Sequence, residues 1–333
     1  MNKTFLYEGN RRALLVVNPI SGTRSKDGIE GEIRSKLAKG GITFDVVRTT
    51  AGGDAFRFAS EAAEQGYGIV LVAGGDGTIN EVASALRGTE TPLGIIPLGS
   101  GNGLGRTLGI PQDVQRAAEI IAGGKVLDCD YGMVNDLPFF CTCGLGFDAL
   151  VAARFAGMKR RGYISYLRST LAEYLSYNPE PYGISIDGKV ITEKALLVAV
   201  CNTSQYGNNV YIAPDATVTD GMLDITILHA GSPFSTALTG VGLLTGLVGK
   251  SRFVDTFRVK SATISRLSDG PVQIDGEPLS MGKVLDLNCV SSGLKIFVPG
   301  EPISFKPILT PAESFFNDLA SNLRYVIGKR FGE

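Results

Sequence analysis

The hydrophobic and polar positions in the first third of the chain follow two alternating periodicities. Short apolar runs rich in valine, isoleucine and leucine are typical of strands buried on both faces of a sheet, whereas apolar residues at three- and four-residue spacing predict helices. The run from Ile69 to Val72 is the clearest strand, and Ile79, Val82 and Leu86 after it mark a helix. Strands are predicted at 13–17, 42–47, 69–72 and 93–97, and helices at about 29–37, 55–64, 79–86, 103–108 and 112–122. This alternation predicts a doubly wound α/β domain with a parallel sheet over residues 1–124.

From about Lys125 the pattern changes to many short strands, several of them separated by Asp-Gly turns. Strands are predicted at 126–134, 139–144, 182–186, 195–202, 222–228, 253–259, 262–265, 272–274, 284–290 and 294–298, with helical insertions near 148–177 and 233–249. This pattern predicts a mostly antiparallel β-sandwich domain over residues 125–305. Residues 306–333 are a separate C-terminal segment, in which Phe316, Leu319 and Leu323 have the spacing of an amphipathic helix. That helix either packs on its own protein or lies at a membrane surface.

Loops rich in Gly, Ser, Thr, Asn and Asp follow all four predicted strands of the first domain, at 18–22, 49–54, 74–78 and 98–106. Because ligands of parallel sheets bind beyond the carboxyl ends of the strands, we expect these loops to meet at one edge. Glycines allow close approach of the backbone, and the free N–H groups at helix N-termini bind anions such as phosphate. Together the loops predict a site for a phosphate-rich ligand, although any one of them is also explained as a tight turn with capping side chains. Asp76 lies at the tip of the third loop, where it would face a metal ion or a reacting hydroxyl.

The composition narrows the class of protein. The chain has 333 residues, of which 44% are hydrophobic and 20% charged, as in a well-packed globular protein. The formal net charge of −1 gives no support for a nucleic-acid binder. Five cysteines without zinc-ligand spacing and a single histidine, His229, argue against a histidine metal cluster or a catalytic triad. The N-terminus lacks the apolar core of a signal peptide, and the longest apolar stretch, about 237–248, is too short to span a bilayer, so a cytoplasmic location is expected.

Six motifs between residues 18 and 277 belong together. They are Asn-Pro-x-Ser-Gly from Asn18, Thr-x-Gly-Gly-Asp-Ala from Thr50, Gly-Gly-Asp-Gly-Thr-x-Asn-Glu from Gly74, Ile-Pro-Leu-Gly-Ser-Gly-Asn from Ile96, Asp-Gly-x-Leu-Asp from Asp220 and Asp-Gly-Glu from Asp275. This pattern resembles the diacylglycerol kinase catalytic family of lipid kinases, which includes soluble bacterial enzymes and the sphingosine kinases. The third motif alone is shared with NAD kinases and phosphofructokinases, whereas the first and fourth narrow the resemblance to lipid kinases. Gly103 departs from the pattern, because many bacterial members have an acidic residue after the asparagine, and the fourth motif is closer to the sphingosine-kinase version.

The resemblance implies an N-terminal nucleotide-binding domain, a β-sandwich domain and a tail that returns to the first domain. ATP would lie between the domains, Mg²⁺ would assist the transfer, and the lipid would enter a hydrophobic cleft of the second domain. The nucleotide-binding residues that the resemblance implies are Asn18, Ser21, Gly22, Thr50, Gly74, Gly75, Gly77, Thr78, Glu81, Ser100, Gly101 and Asn102.

The resemblance also implies three catalytic carboxylates, Asp76, Asp275 and Glu277. Asp76 matches the base of sphingosine kinases and Asp275 that of bacterial diacylglycerol kinases; we favour Asp275 as the base, with Asp76 and Glu277 binding the catalytic Mg²⁺. If the strand before Asp275 continues, residues 275 and 277 share one face, whereas the alternative is an Asp-Gly hairpin turn. A second, structural Mg²⁺ is predicted at Thr217, Asp220 and Met222, with an ordinary turn as the alternative.

The predicted function is transfer of the ATP γ-phosphate to a hydroxyl of diacylglycerol or a related lipid. The alternatives are a sphingoid-base or ceramide kinase, an NAD kinase and a nucleotide-binding regulator without catalysis. A lipid substrate implies peripheral association with the inner face of the membrane, for which Lys159, Arg160 and Arg161 beside aromatic residues supply cations. The alternative for that cluster is a solvated helix connection, and assembly into a homo-oligomer stays open.

Overall fold

The computed structural model describes residues 4–21, 28–99, 101–156, 177–207, 210–229, 231, 239, 242–243 and 245–300. Four sequence predictions fall outside this range. They are the roles of Gly22 and Ser100, the basic cluster at 159–161 and the amphipathic helix of the C-terminal segment.

The first half of the structure alternates strands and helices. Its elements are β1 Thr4–Leu6, β2 Arg12–Val17, α1 Ile29–Leu37, β3 Thr43–Arg48, α2 Asp54–Glu64, β4 Ile69–Gly74, α3 Asp76–Leu86, β5 Leu93–Pro97, α4 Gly103–Thr107 and α5 Val114–Ala122. Strands β5, β4, β2 and β3 form a parallel sheet in that order. Helix α1 packs beside α5 and α2 beside α3, and all six residues of β4 are buried. The continuous apolar runs in the sequence therefore belong to a sheet that is covered on both faces.

The second half is built from antiparallel strands. Its elements are β6 Lys125–Val134, β7 Leu137–Phe139, β8 Thr142–Gly146, α6 Phe147–Ala156, β9 Glu180–Ile186, β10 Lys189–Cys201, β11 Leu223–His229, β12 Val254–Val259, β13 Ser261–Arg266, β14 Gly270–Ile274, β15 Glu277–Met281 and β16 Val284–Phe297. Strand β10 pairs with β9 along its first half and with β8 and β11 along its second half, so it passes from one sheet of the sandwich to the other. A separate apolar core lies between these strands. The predicted combination of an α/β domain and an antiparallel β-sandwich is confirmed, while the boundaries at 124 and 305 stay predictions.

Strand β16 joins the two domains. It pairs antiparallel with β13 and β6, and Ile296 near its end pairs parallel with Leu93 of β5. The sequence analysis divided this strand in two at Ser291–Ser292–Gly293, and that division is wrong. Ser292 has φ of +54° and the register shifts between Val290 and Leu294, so the turn-forming residues make a bulge inside one strand. Ladder hydrogen bonds therefore run from the parallel sheet of the first domain into the sandwich.

Strands β1, β7 and β15 were not predicted from the sequence. Each has five residues or fewer, and β15 is largely exposed, so none carries a clear apolar alternation. The insertion expected near 148–177 begins as α6, whereas residues 157–176 lie outside the described range. All five cysteines are free thiols, and four of them are buried. Among the described helices, none has the length and apolar character that crossing a membrane requires.

Candidate active site

The loop after β4 is held by side chains from the loop after β2. The Nδ2 group of Asn18 donates to Thr78 Oγ1 at 2.8 Å, and the amide of Gly75 donates to Ser21 Oγ at 3.3 Å. The Asn18 amide also donates to the carbonyl of Ala73 at 3.0 Å. The first and third predicted phosphate loops are therefore one joined structure at the carboxyl edge of the sheet.

The loop after β3 joins the same edge through Glu81. The two carboxylate oxygens of Glu81 accept hydrogen bonds from the amides of Gly53, Ala55 and Phe56, at 3.0, 3.0 and 3.3 Å. Glu81 therefore anchors the N-terminus of α2 to α3, and it would act on a nucleotide through the position of this loop. Thr50 donates from both its amide and its hydroxyl to Asp54 Oδ2, each at 2.8 Å. These bonds lower the pKa of Asp54.

Asp76 connects this structure to the loop after β5. Its Oδ2 accepts from the amide of Asn102 and its Oδ1 from the amide of Gly103, both at 2.8 Å, so the carboxylate lies against the first turn of α4. The approach requires glycine at residue 101, because a β-carbon there would lie 2.6 Å from Asp76 Oδ2. Each Asp76 oxygen accepts one hydrogen bond from the described residues, which leaves it a further acceptor position toward them.

Asn102 shapes the loop from inside. It is fully buried with φ of +50°, and its Nδ2 group donates to the carbonyl of Gly99 and to Gln112 Oε1. Because asparagine adopts the left-handed conformation more readily than other non-glycine residues, this position suits it. Asn102 thus presents its backbone amide to Asp76 and points its side chain into the protein, whereas the sequence had suggested a nucleotide-binding side chain.

The candidate base Asp275 lies on a two-residue hairpin turn. Ile274 of β14 pairs with Glu277 of β15, and the turn residues Asp275 and Gly276 have φ of +49° and +88°. Both positive values fit a type I′ turn. The assumption that one strand continues from 274 to 277 is therefore wrong, and the hairpin alternative is correct. The turn nevertheless brings both acidic residues to the first domain.

Asp275 has four hydrogen-bond donors. The amides of Phe140, Cys141 and Thr142 donate at 2.8, 2.7 and 2.9 Å, and Asn80 Nδ2 of helix α3 donates at 2.7 Å. The bond from Asn80 crosses between the domains. Burial raises the pKa of Asp275, and the four hydrogen bonds oppose that shift because they favour the ionised carboxylate.

Glu277 completes a group of three carboxylates around the first turn of α3. A β-carbon at Gly77 would lie 3.8 Å from Glu277 Oε1, and Asn80, which holds Asp275, is one helical turn from Asp76. The side chain of Glu277 is exposed and makes no hydrogen bond to the described residues. Carboxylates are favourable here because the N-terminus of a helix carries partial positive charge.

The arrangement suits Mg²⁺ only with help from a ligand. Among the described residues, no group of three or more His, Cys, Asp or Glu side chains is arranged to hold a metal ion. Mg²⁺ is commonly held by one or two carboxylates together with phosphate oxygens, and Asp76 and Glu277 supply two carboxylates beside the phosphate loops.

The predicted structural Mg²⁺ site has a competing cation. Asp220 Oδ1 accepts from the Met222 amide at 3.0 Å, and its Oδ2 lies 3.7 Å from Arg258 Nη1. Thr217 Oγ1 lies 3.2 Å from Thr219 Oγ1. This second metal site stays a prediction.

Sequence reasoning missed four residues that support the site: Asn80, Asp148, Tyr206 and Gln273. Asn80 stood inside the third motif without an assigned role. The other three lack a motif signal, because their partners are far away in the sequence.

The comparisons with known proteins identify both domains of the chain. Residues 12–134 match the model of the diacylglycerol kinase catalytic domain, and residues 141–298 match that of the YegS C-terminal NAD kinase beta sandwich-like domain. The chain is 33% identical to a diacylglycerol kinase of Bacillus subtilis over 66% of this chain and 74% of that one. It is 31% identical to a YegS-like lipid kinase of Klebsiella pneumoniae over 86% and 96%. A solved diacylglycerol kinase of Bacillus anthracis str. Sterne has the same fold, with a TM-score of 0.69, 23% identity and coverage of 88% and 98%.

The fold and the matches define a phosphotransferase with a kinase catalytic domain and a β-sandwich domain. The chain belongs to the diacylglycerol kinase catalytic family, and it is a lipid kinase.

Proposed function

We propose that the protein transfers the γ-phosphate of ATP to a hydroxyl group of diacylglycerol or a closely related lipid. The observation that carries this proposal is the meeting of three glycine-rich loops with the carboxylates of Asp76, Asp275 and Glu277 around the first turn of α3. Phosphoryl transfer needs N–H donors for the phosphates, compensation of the developing charge and an acceptor for the hydroxyl proton. These elements supply all three.

The hydrogen bonds to the carboxylates suggest how the roles are divided. The four donors to Asp275 occupy its acceptor positions, so protonation of Asp275 would break a bond to the backbone or to Asn80. Each oxygen of Asp76 accepts a single hydrogen bond within the described part of the chain. We therefore revise the preference from the sequence: Asp76 accepts the hydroxyl proton, and Asp275 holds the two domains in register.

Glu277 is the carboxylate best suited to Mg²⁺, with phosphate oxygens as further ligands and Asp76 nearby. The ion would supply positive charge against the charge that develops on the phosphoryl oxygens.

Gly103 bears on the choice of substrate. A β-carbon at this position would lie 3.3 Å from the Tyr206 carbonyl oxygen and 3.4 Å from Cys141 Sγ, so the residue is packed against the second domain. A side chain here would require these neighbours to shift by a few tenths of an ångström, so packing also accounts for a glycine, and the departure from the motif alone gives no reason to prefer a sphingoid base. Diacylglycerol is the first substrate to test, and sphingosine and ceramide are the second class.

The experiment is a kinase assay with radiolabelled ATP, Mg²⁺ and a panel of dioleoylglycerol, sphingosine, ceramide and NAD. We expect labelled phosphatidic acid from dioleoylglycerol. Labelled NADP in place of lipid product, or no product at all, would contradict the proposal.

Two variants test the division of roles. Asp76→Asn should lower kcat by about 10²–10⁴-fold and remove the acidic limb of the pH–rate profile, whereas Asp275→Asn should lower thermal stability and keep that limb. The reverse pattern would make Asp275 the base.

Association with lipid is part of the proposal, since the acceptor resides in membranes. Co-sedimentation with anionic vesicles at low salt should carry the protein into the pellet, and a protein that stays in the supernatant would speak against peripheral binding.

A further inference from the structure

Gln273 is a buried side chain whose amide makes three hydrogen bonds around the hairpin that bears Asp275 and Glu277. Its Oε1 accepts from the amide of Gly276 at 2.8 Å. Its Nε2 donates to Thr142 Oγ1 at 3.1 Å and to Asp148 Oδ2 at 3.0 Å. The side chain is 2% exposed, so water does not replace these bonds easily.

Asp148 determines the orientation of the Gln273 side-chain amide. A carboxylate accepts hydrogen bonds only, so the nitrogen end of Gln273 has to face Asp148, and the oxygen end is left for the amide of Gly276. Reversal of the amide would place its oxygen against the carboxylate and leave the Gly276 amide without this acceptor. The orientation of one buried side chain thus determines a hydrogen bond inside the turn.

That hydrogen bond matters because the turn positions two carboxylates of the site. Asp275 has φ of +49°, in the left-handed region that the first residue of an Asp-Gly type I′ turn adopts. Asp275 must stay there to meet Asn80, and Glu277 must stay there to lie beside Gly77. A shift of the turn would move both carboxylates relative to the phosphate loop.

Asp148 also reaches the other side of the site. The hydroxyl of Tyr206 donates to Asp148 Oδ2 at 3.0 Å, and the Tyr206 carbonyl oxygen packs on Gly103, whose amide holds Asp76. One carboxylate oxygen therefore links the segment that packs on the Asp76 loop with the hairpin that bears Asp275 and Glu277.

We propose that Gln273 is a positioning residue for phosphoryl transfer, which, oriented by Asp148 and Tyr206, holds the Asp275–Gly276 turn in register with the loop that bears Asp76. The role rests on the proposed lipid kinase function for its effect on rate, but its effect on the turn is independent of any substrate.

The first test measures the turn itself. Amide hydrogen exchange of the folded protein is followed in a peptide that covers residues 270–281. The Gly276 amide should exchange at least about tenfold faster in Gln273→Met than in the wild type. Gln115→Met is the matched control, because Gln115 also donates to a carboxylate, Glu32 Oε2 at 3.4 Å, but on the exposed surface. It should leave the exchange unchanged. Equal protection in the wild type and Gln273→Met would overturn the proposal whether or not the protein phosphorylates a lipid.

The second test uses rate, with ATP and dioleoylglycerol. In Gln273→Met, kcat should fall about tenfold to a hundredfold with little change in KM for ATP, since small displacements of catalytic groups have effects of this size. Asp148→Asn keeps an oxygen that accepts from Gln273 but adds a donor that tolerates the reversed amide, so kcat should fall less than in Asp148→Ala, which should resemble Gln273→Met. If Asp148→Asn lost as much activity as Asp148→Ala while Gly276 kept its protection, Asp148 would act through its own charge, and the proposal would fail.

A pair of variants that exchanges the acid and the amide between residues 148 and 273 distinguishes lost positioning from simple misfolding. Gln273→Glu keeps the acceptor for Gly276 but sets two carboxylates against each other, so its kcat should fall. Addition of Asp148→Asn supplies an amide donor and should restore most of that loss. Failure of the double variant to recover, when both variants melt at the wild-type temperature, would refute the role of the pair. A wild type that phosphorylates no lipid in the panel would defeat the proposed function alone, and the exchange measurement would still decide the role of Gln273.

Discussion

The hydrogen bond from Asn80 to Asp275 is the contact through which the first domain's helix α3 holds the catalytic hairpin of the second domain. It measures 2.7 Å and joins an amide to a carboxylate that also accepts three backbone hydrogen bonds. We expect Asn80→Ala to destabilise the protein and to lower its activity, because the substitution removes a donor from a partly buried carboxylate.

The magnitude follows from the kind of bond. A hydrogen bond to a charged group contributes about 1.5–3 kcal/mol. At roughly 2 °C for each kcal/mol in a chain of this size, the melting temperature at pH 7 should fall by about 3–6 °C. Removal of the bond also favours the protonated form of Asp275, so its native pKa, already raised by burial, should rise further.

The effect of Asn80→Ala on stability should depend on pH. Since the native pKa of Asp275 lies above its ordinary value of 3.8, the stability contributed by this group is fully present below that value and is lost as the pH rises through the native pKa. Because the pKa of Asp275 is shifted further upward in Asn80→Ala, the loss of stability of this variant relative to the wild type should increase from pH 4 to pH 8. Asn80→Asp should show the same trend more strongly, because it sets a second carboxylate against Asp275.

The assay is differential scanning calorimetry across this pH range, with kcat measured at pH 7. Ser84→Ala is the matched control, since Ser84 donates to Asn80 Oδ1 at 3.4 Å, at the opposite end of the same amide. It should change the melting temperature by less than about 1 °C. A melting curve of Asn80→Ala that coincides with the wild type at every pH would refute the reasoning.

Three further predictions follow from the same geometry. Gly101→Ala should lower kcat at least about tenfold without unfolding the protein, because its β-carbon would lie 2.6 Å from Asp76 Oδ2. A wild-type kcat in this variant would show that the loop can shift to accommodate the methyl group. Burial raises the pKa of Asp148 to about 6, so the stability that this group contributes is lost as the pH rises through about 6. The free energy of unfolding of Asp148→Asn, measured with denaturant, should therefore increase relative to that of the wild type by up to about 2–3 kcal/mol between pH 4 and pH 8. A difference that stays constant over this range would contradict the burial argument. If Thr217, Asp220 and Met222 bind Mg²⁺, millimolar MgCl₂ should raise the melting temperature of the wild type and not that of Asp220→Asn. An equal response of the two proteins would mean that the Asp220 carboxylate pairs with Arg258 and binds no Mg²⁺.

The local periodicity in the sequence was enough to determine the α/β domain, the antiparallel sandwich and the edge at which the polar loops meet. Buried parallel strands require continuous apolar runs, and turns into helices require glycine and capping residues, so both signals lie within a few neighbouring positions. The family motifs added Asp76, Asp275 and Glu277, and the structure brings all three to the first turn of α3.

The roles within the site were decided by contacts between distant parts of the chain. Glu81 anchors α2 and Asn102 supports its own loop, although their motif suggested nucleotide ligands, because the partners of their side chains are set by packing. The saturation of Asp275 depends on a bond from Asn80, 195 residues away, and the orientation of Gln273 on Asp148, 125 residues away. Sequence spacing carries no information about such pairs. The two domains are joined through β16, and their packing determines which donors each carboxylate meets.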